Sequence, residues 1–233
     1  MREGLVEVNP VIGTNKATEE RSRDRVLRDA ELVEIWNACR DDDYGRIVRL
    51  LILTGQRREE VGAMAWREIN FSNHQWSLPG ERTKNRLPHD VPLSDAAIDV
   101  LRLVPRRERR ESAFGQGSGG FSGWSRAKKG LDDRINDARV EQLGKGAEQL
   151  APWRIHDIRR TVATGMGDIG VQPHIVEAVL NHISGHKAGV AGIYNRAIYA
   201  PEKRAALERW ADHVQLLIEG AEPKIISFPA RAV

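Results

Sequence analysis

The sequence predicts an α+β fold that is mostly helical and contains one small antiparallel β-sheet. Three features of the chain lead to this prediction. Apolar residues recur at helical spacing in several runs, of which YGRIVRLLILTG is a clear example. Between residues 67 and 93 the period changes to short extended runs, REINF, QWSL and HDVPL, separated by turn-forming segments. The 233 residues suffice for one large domain or two small ones, with a sizeable buried core.

The first half of the chain is expected to form three helices and then the sheet. Asp29 is a candidate N-cap for a helix over 30–40, and Gly55 lies where a C-cap glycine would end the helix YGRIVRLLILTG. A third, short helix is predicted over 58–65. The segments SNH and PGERTKNRLP then separate the extended runs, as expected of turns in an antiparallel sheet.

The second half returns to helical periodicity after the sheet. Ser94 is a good N-cap for DAAIDVLRLV, a helix that stops at Pro105. The segment ESAFGQGSGGF at 111–121 is rich in glycine and serine, and we expect it to be a mobile loop. Further helices are predicted over 122–140, 156–169, 173–181 and 202–219, the third of them with Pro173 at its first position.

The charge of the chain is compatible with a nucleic-acid partner but does not require one. The formal net charge is +3, because 36 Lys and Arg residues are set against 33 Asp and Glu residues. Two basic runs, RSRDRVLR at 21–28 and RRERR at 106–110, are each interpreted alone as solvated faces. The single cysteine, Cys39, falls in an apolar pattern and is predicted to be a core residue. Without a disulfide pair, a signal segment or a long apolar run, the protein is expected to be soluble and cytoplasmic, with no membrane partner.

One helical stretch, WRIHDIRRTVATGM at 153–166, carries residues suited to binding an anion. His156 and Arg159 are i and i+3 neighbours and therefore share one helix face, while Arg160 is turned about 100° away from Arg159. Most surface arginines belong to solvated faces, and that interpretation stays open. The alternative is a phosphate held by a guanidinium fork and a ring nitrogen.

Three other segments carry residues with possible chemical roles, and each is a weak signal alone. Arg57 and Glu60 are i and i+3 neighbours after a helix stop, a pattern that favours a structural ion pair. Lys84 lies in a turn between two predicted strands, where a lysine is usually solvated. His182 lies at a helix end, and Tyr194 follows a glycine-bearing segment in which a tyrosine alone is more often a packing residue.

Together these residues occur in the order Arg, Lys, His-x-x-Arg, His and Tyr, and this combination is specific. The chain from about residue 25 resembles the catalytic domain of the tyrosine recombinases, in particular the integrases of phages and genomic islands. The matching words are TGQRREEV, RTKN, HDIRRT, VLNH and GIYNR. In VLNH, Asn181 stands where the family commonly has glycine. The resemblance implies the mostly helical catalytic domain with a small antiparallel sheet that such recombinases share.

The resemblance also implies how the chain would cut DNA. A protein that cuts a phosphodiester without a metal must neutralise the charge on its non-bridging oxygens, and Arg57 and Arg159 suit that task. Tyr194 is the expected nucleophile, and its 3′-phosphotyrosyl link would store the bond energy, so that religation needs no ATP. Tyr199 is a second candidate, but its word AIYAPEK is typical of the start of the last helix.

The remaining matched residues have assisting roles in the same reaction. The resemblance nominates Lys84 as the general acid, His156 as an acid, base or hydrogen-bond donor, and His182 as a further phosphate donor. Glu60 is expected to orient the first arginine, and Arg160 to make a structural or backbone-phosphate contact. No metal or other cofactor is implied.

Domain organisation and partners follow from the same resemblance. Residues 1–24 are expected to be a linker from a missing N-terminal DNA-binding region, 25–220 the catalytic domain and 221–233 a C-terminal tail. The implied partner is double-stranded DNA carrying attachment or core sites. The protein is expected to be a monomer in isolation and a tetramer on DNA, with the last helix and the tail packed against its own domain or a neighbouring protomer.

Three other functions were weighed against recombination. A type IB topoisomerase shares the chemistry but relaxes supercoils as a single subunit. A metal-dependent nuclease would use His182 and His186, at a four-residue spacing, with His174 nearby, although the usual carboxylate partners are missing from 180–200. A DNA-binding module without catalysis would not need the full set of reactive residues.

Overall fold

The computed structural model describes residues 24–182 and 199–220. The α-helices of this part are α1 (Asp29–Asn37), α2 (Asp43–Thr54), α3 (Arg58–Gly62), α4 (Asp95–Arg102), α5 (Trp124–Leu143), α6 (Ile155–Asp168), α7 (Pro173–Val179) and α8 (Ala200–Glu219). The strands are β1 (Ile69–Asn70), β2 (Gln75–Leu78) and β3 (His89–Pro92), which form an antiparallel sheet in the order β1-β2-β3. The predicted α+β class, mostly helical with one small sheet, is confirmed.

Helix α2 is the centre of the core. Apart from the partly buried Arg49, its residues from Ile47 to Leu53 are apolar and buried, as expected for a helix surrounded by other elements. Helices α3, α4, α6 and α8 pack against it. Trp210 of α8 is buried and donates its indole N–H to the carbonyl of Ile52 at 2.7 Å. Gly165 of α6 makes room for this ring, since a Cβ there would lie 2.4 Å from the Trp210 ring.

The sheet packs on the same core through alternating side chains. Trp76 pairs with Val91 and Leu78 with His89, and all four of these residues are buried. The buried ammonium of Lys203 on α8 donates to the carbonyl of Asp90 at 2.6 Å, which joins the last helix to strand β3. Strand β3 therefore joins helix α8 to the β2–β3 connection, where Lys84 lies.

Two predicted caps are confirmed and one is wrong. Gly55 ends α2 in the left-handed conformation, with φ 65°, and Ser94 accepts a hydrogen bond from the Ala97 N–H at 3.3 Å. The N-cap of α1 is Arg28, and Asp29 is its first residue. The buried carboxylate of Glu31 accepts the Arg28 N–H at 2.9 Å, so the acidic residue at the third helical position holds this end.

The segment 111–121 is tied to the domain, contrary to the expectation of a mobile loop. Ala113 and Phe114 are fully buried despite the surrounding glycines and serines. Arg107 donates to the Ala113 carbonyl at 3.3 Å and to the carboxylate of Asp43 at 2.8 Å. Arg110 donates to the Phe114 carbonyl at 3.1 Å. The interpretation of RRERR as a solvated face is thus wrong for these two arginines, because their guanidinium groups satisfy the backbone of the loop.

Two expectations from composition can also be compared with the structure. Cys39 is a core residue, as predicted, and burial raises the pKa of its thiol to about 12. Among the helices of the described residues, none has the length and apolar content needed to cross a membrane.

Candidate active site

Arg57 and Glu60 are held together by the start of α3. Arg57 is the N-cap of this helix, and Glu60, three residues later, accepts its backbone N–H at 3.2 Å. The other oxygen of the same carboxylate accepts the Arg57 Nη1–H at 2.9 Å. Glu60 is buried, whereas the Arg57 side chain is 20% exposed. The carboxylate thus fixes the direction of a guanidinium that still faces solvent.

Arg159 is placed at the ends of two helices. Its side chain, on α6, is buried and donates Nη1–H to the carbonyl of Gly55 at 2.7 Å, and Nη2–H to the carbonyl of Leu180. Gly55 and Leu180 are the C-cap residues of α2 and α7. The negative end of each helix dipole lies there and stabilises a cation. Burial, followed by repulsion from Arg57, lowers the pKa of Arg159 to about 10, which leaves it charged at neutral pH.

Arg57 also donates a hydrogen bond at the C-terminus of α7. Its Nη2–H donates to the carbonyl of Asn181 at 3.4 Å, one residue beyond the carbonyl that Arg159 contacts. Two guanidinium groups therefore lie close together beside the C-terminus of α7. Their mutual repulsion would be relieved by an anion between them, and each retains N–H donors beyond those used for carbonyls.

An open cleft of about 700 Å³ is lined by Arg57, whereas the buried Arg159 is not among its lining residues. Among the residues predicted for the site, Arg57, Glu60, Lys84 and His156 line it. Lys84 is exposed on the connection between β2 and β3, and His156 is exposed in the first turn of α6. The side chains of Arg57, Lys84 and His156 thus border one cleft. Arg57 and His156 are 99 positions apart in the chain.

The pKa of each predicted histidine is lowered, which favours the neutral form of the ring. Although the His156 residue is exposed, partial desolvation of its ring lowers its pKa, and the charges of Arg160 and Arg159 lower it further. Burial and Arg159 likewise lower the pKa of His182, although its Nδ1 lies 3.3 Å from a carboxylate oxygen of Glu177. A neutral imidazole has one N–H donor and one acceptor nitrogen, so each ring can either give or take a proton.

Arg160 has a structural contact. Its Nη1–H donates to Asp157 at 2.8 Å, and the other oxygen of that buried carboxylate accepts the Arg154 N–H at 2.8 Å at the start of α6. The arginine thereby helps to hold the turn that presents His156.

The two tyrosine candidates differ in what the structure says of them. Tyr194 lies outside the described residues. Tyr199 is the N-cap of α8, with φ 48°, and its ring centroid is 5.3 Å from that of His174. Its position at the start of the last helix agrees with the sequence prediction.

The cleft also has lining residues that the motif words did not single out. Trp124, Lys128, Trp153 and Arg154 form a wall with aromatic and cationic groups. The Lys128 ammonium lies 3.9 Å from the centroid of the Trp153 ring and pairs with Asp132 at 2.5 Å. The i and i+4 spacing of Trp124 and Lys128 on one helix was the available signal, but nothing local connects them to Arg57.

The metal-dependent nuclease alternative requires a cluster of metal-binding side chains. No group of three or more His, Cys, Asp or Glu side chains is placed to hold a metal ion within 24–182 and 199–220. His186, which that alternative requires, lies outside these ranges.

Comparison with known proteins places the chain in a family. Residues 25–199 match the sequence profile of the Phage integrase family. The chain belongs to this family. Relatives include the prophage integrase IntA of Escherichia coli K12, 27% identical over 227 residues that make up 94% of this chain and 51% of IntA. The integrase of Shigella phage Sf6 is 28% identical over 189 residues, which cover 78% of this chain and 46% of that protein. The chain thus spans about half the length of these phage integrases.

Solved integrases share the fold. The integrase from mycobacterium phage Brujita superposes with a TM-score of 0.56 at 17% identity, covering 92% of this chain and 70% of that one. A lambda integrase tetramer bound to a Holliday junction gives a TM-score of 0.53, also at 17% identity, covering 78% of this chain and 53% of that one. These superpositions show that the chain shares the fold of the solved integrases. At 17% identity they carry no information about its substrates.

Proposed function

We propose that this chain is the catalytic domain of a site-specific tyrosine recombinase that cuts and rejoins double-stranded DNA without metal or ATP. One observation carries the proposal: Arg57 and Arg159 are held together at the C-termini of α2 and α7, beside a cleft that Lys84 and His156 line. Two fixed guanidinium groups next to a proton donor form the arrangement that phosphoryl transfer requires.

The arginines would bind the scissile phosphate. Arg57 is partly exposed and aimed by Glu60, so it can donate two N–H groups to the non-bridging oxygens. Arg159 is already fixed by two carbonyls, so little reorganisation is needed as charge develops on those oxygens. The repulsion between the two cations favours binding of an anion before the reaction begins.

Tyr194 would then attack the phosphorus. A bond forms between the tyrosine oxygen and phosphorus, and the bond from phosphorus to the 5′-oxygen breaks. Lys84 gives a proton to that departing oxygen, which leaves a free 5′-hydroxyl and a 3′-phosphotyrosyl link. Religation reverses these steps with the 5′-hydroxyl of another strand, so no external energy source is required.

The neutral histidines would assist from either side of the phosphate. His156 can accept the phenolic proton through its unprotonated nitrogen, because partial desolvation, and then the charges of Arg160 and Arg159, disfavour its charged form. His182 can donate its N–H to a non-bridging oxygen, with Glu177 holding the ring. Glu60 would position Arg57, and Arg160 would hold the α6 turn through Asp157 or contact the DNA backbone.

The proposed partner is a DNA attachment or core site, and the proposed active assembly is a tetramer formed on DNA from chains that are monomeric alone. The solved lambda integrase is a tetramer bound to a Holliday junction, which supports this assembly for a protein of the same fold. A type IB topoisomerase-like activity would instead relax supercoils with a single subunit.

The test is a covalent-trapping experiment. Duplexes from the junctions of the mobile element that carries the gene, nicked beside the expected cut, should form a covalent adduct with the wild-type protein in EDTA. Tyr194→Phe should bind the same DNA and form no adduct, while Tyr199→Phe should still form it. An adduct that survives Tyr194→Phe, or one that requires a divalent metal, would contradict the proposal. Strand exchange between two sites separates recombination from simple relaxation.

A further inference from the structure

Two asparagines join the β2–β3 connection to the end of α7. The Asn85 Nδ2–H donates to the side-chain oxygen of Asn181 at 2.9 Å and to its backbone carbonyl at 3.1 Å. In return, the Asn181 Nδ2–H lies 3.3 Å from the Asn85 oxygen. A backbone carbonyl can only accept, so this contact identifies the Asn85 nitrogen and sets the orientation of both amides. The pair connects positions that are 96 residues apart.

Each member of the pair adjoins a residue of the candidate active site. Asn85 directly follows Lys84, and Asn181 directly precedes His182. The Asn181 carbonyl also accepts from Arg57 at 3.4 Å. The three segments that carry Arg57, Lys84 and His182 thus meet at Asn181, which is 8% exposed.

The backbone of Asn181 explains why an asparagine fits there. Its φ is 50°, in the left-handed region that glycine and asparagine adopt most readily. The His182 N–H donates to the Glu177 carbonyl at 3.0 Å, and the Asn181 N–H lies 3.4 Å from the Ala178 carbonyl, as in a Schellman motif. Glycine would preserve this turn but would supply no side-chain amide. The side chain of Asn181 is therefore an addition to the turn and not a requirement of it.

A second anchor lies on the other side of Lys84. Arg82 donates to the carbonyl of Glu60 at 2.9 Å and pairs with the buried carboxylate of Glu68. With Arg82 fixed before Lys84 and Asn85 fixed after it, the exposed lysine lies on a short segment held at both ends. Loss of either anchor would give the lysine more positions to occupy, while its own side chain would remain intact.

We propose that the Asn85–Asn181 amide pair is a positioning device for the general acid. It places Lys84 relative to Arg57 and His182, so that the ammonium reaches the departing 5′-oxygen. The inference rests on the proposed function. It assigns a role in proton transfer to two residues that would not themselves touch the reacting atoms.

The test uses Asn181→Gly, which keeps the left-handed turn and the backbone carbonyl that accepts from Asn85, and removes only the two hydrogen bonds of the Asn181 side chain. Two nicked duplexes from the element junctions are compared, one with the natural 5′-oxygen at the cut and one with sulfur in its place. A thiolate leaves without being protonated, because a thiol has a pKa of about 8.5 and an alcohol a far higher one. We expect adduct formation on the oxygen substrate to slow by about threefold to tenfold, the effect of roughly one hydrogen bond on a barrier. The sulfur substrate and DNA affinity should change by less than about twofold.

Further variants separate positioning from a general loss of structure. Asn85→Ala should show the same selective defect, and the double variant should be no slower than Asn85→Ala alone. Asn136→Ala is the matched control. Asn136 lies on α5, outside the cleft, and its side-chain oxygen accepts a hydrogen bond from the Leu150 N–H at 3.0 Å, which the substitution removes. It should leave the ratio of the two rates unchanged. Equal slowing on both substrates, or no slowing on either, would overturn the proposal.

A measurement without DNA distinguishes failure of this inference from failure of the proposed function. In Asn181→Gly, the backbone amides of residues 82–87 should exchange with deuterium faster than in the wild type. They should be unchanged in Asn136→Ala. A wild-type protein that forms no adduct on either duplex would reject the proposed function, whereas unchanged exchange over 82–87 would reject the anchoring itself.

Discussion

Arg159 donates a hydrogen bond to the carbonyl of Gly55 at 2.7 Å and thereby joins helix α6 to the C-terminus of helix α2. The same guanidinium reaches the end of α7 through Leu180. A residue proposed to bind phosphate is therefore also a tie between three helices of the core. Binding and folding are coupled at this one side chain, and the two contributions can be measured separately.

Replacing Arg159 should destabilise the fold as well as abolish the adduct. In Arg159→Ala, two buried carbonyls lose their donor, which should lower the free energy of unfolding by about 1–3 kcal/mol. Arg102→Ala removes an exposed pair with Asp99 and should cost less than about 1 kcal/mol. Urea unfolding of the DNA-free proteins measures both. Equal stability of the two variants would mean that Arg159 is not a structural tie.

Gly55 should be sensitive for two reasons that a matched glycine can separate. Alanine at position 55 would have to adopt φ 65°, which is unfavourable for a residue with a Cβ. Its Cβ would also lie 2.9 Å from Cγ1 of Val162. Gly220 ends α8 at φ 66° with nothing within 4 Å of its added Cβ. Gly220→Ala should therefore cost about 1–2 kcal/mol from the backbone alone. Gly55→Ala should cost more, and it should also reduce adduct formation because the carbonyl that holds Arg159 would shift.

The comparison of these two variants is made by urea unfolding and by covalent trapping on the same DNA. An adduct yield from Gly55→Ala equal to that of Gly220→Ala, after correction for the folded fraction, would separate Gly55 from the site.

Stability should fall in acid because of His89. Burial, reinforced by the charge of Lys203, lowers the pKa of His89 from 6.5 to about 3, and its Nε2–H donates to the Val179 carbonyl at 3.0 Å. Between these pH values the unfolded chain binds a proton that the folded chain does not. The free energy of unfolding therefore decreases as the pH falls below about 6.5, by at most about 1.4 kcal/mol per pH unit from this residue.

His89→Gln keeps an N–H donor and removes the titration, so its unfolding free energy should depend less on pH between about 6.5 and 4. His213→Gln, on the half-buried part of α8, is the control. Urea unfolding at several pH values gives the two slopes. A slope as steep in His89→Gln as in the wild type would contradict the assignment.

Arg107 should matter for folding and not for binding DNA. Its guanidinium pairs with Asp43 and holds the segment 113–115 through two carbonyls, each at 3.3 Å. Arg107→Gln should lower the free energy of unfolding by about 1–3 kcal/mol. It should leave the slope of log affinity against log salt unchanged, whereas a lost phosphate contact lowers that slope by roughly one unit. Anisotropy titrations at two salt concentrations make the measurement.

Local signals in the sequence determined the elements and the motif words. Apolar spacing predicted α2 and α6, a short extended run between turn segments predicted β2, and a glycine and a serine marked the helix ends at Gly55 and Ser94. These predictions succeeded because caps and periodic faces depend on residues within about four positions of each other. The order of Arg57, Lys84, His156, Arg159 and His182 was equally visible, since it is a property of the chain and not of its folding.

Tertiary structure alone decided which partner each of those residues has. Arg159 meets Gly55 across 104 residues, and Asn85 meets Asn181 across 96, distances over which no periodicity carries information. Arg107 belongs to a basic run that was predicted to be a solvated face, but its guanidinium donates to backbone carbonyls of a glycine-rich loop. Helix ends expose unpaired carbonyls, and packing brings arginines and amides to them, because a buried carbonyl without a donor is costly. The sequence by itself therefore determined which reactive groups the chain carries. The packing of α2, α6 and α7 against one another determined where Arg57 and Arg159 are held.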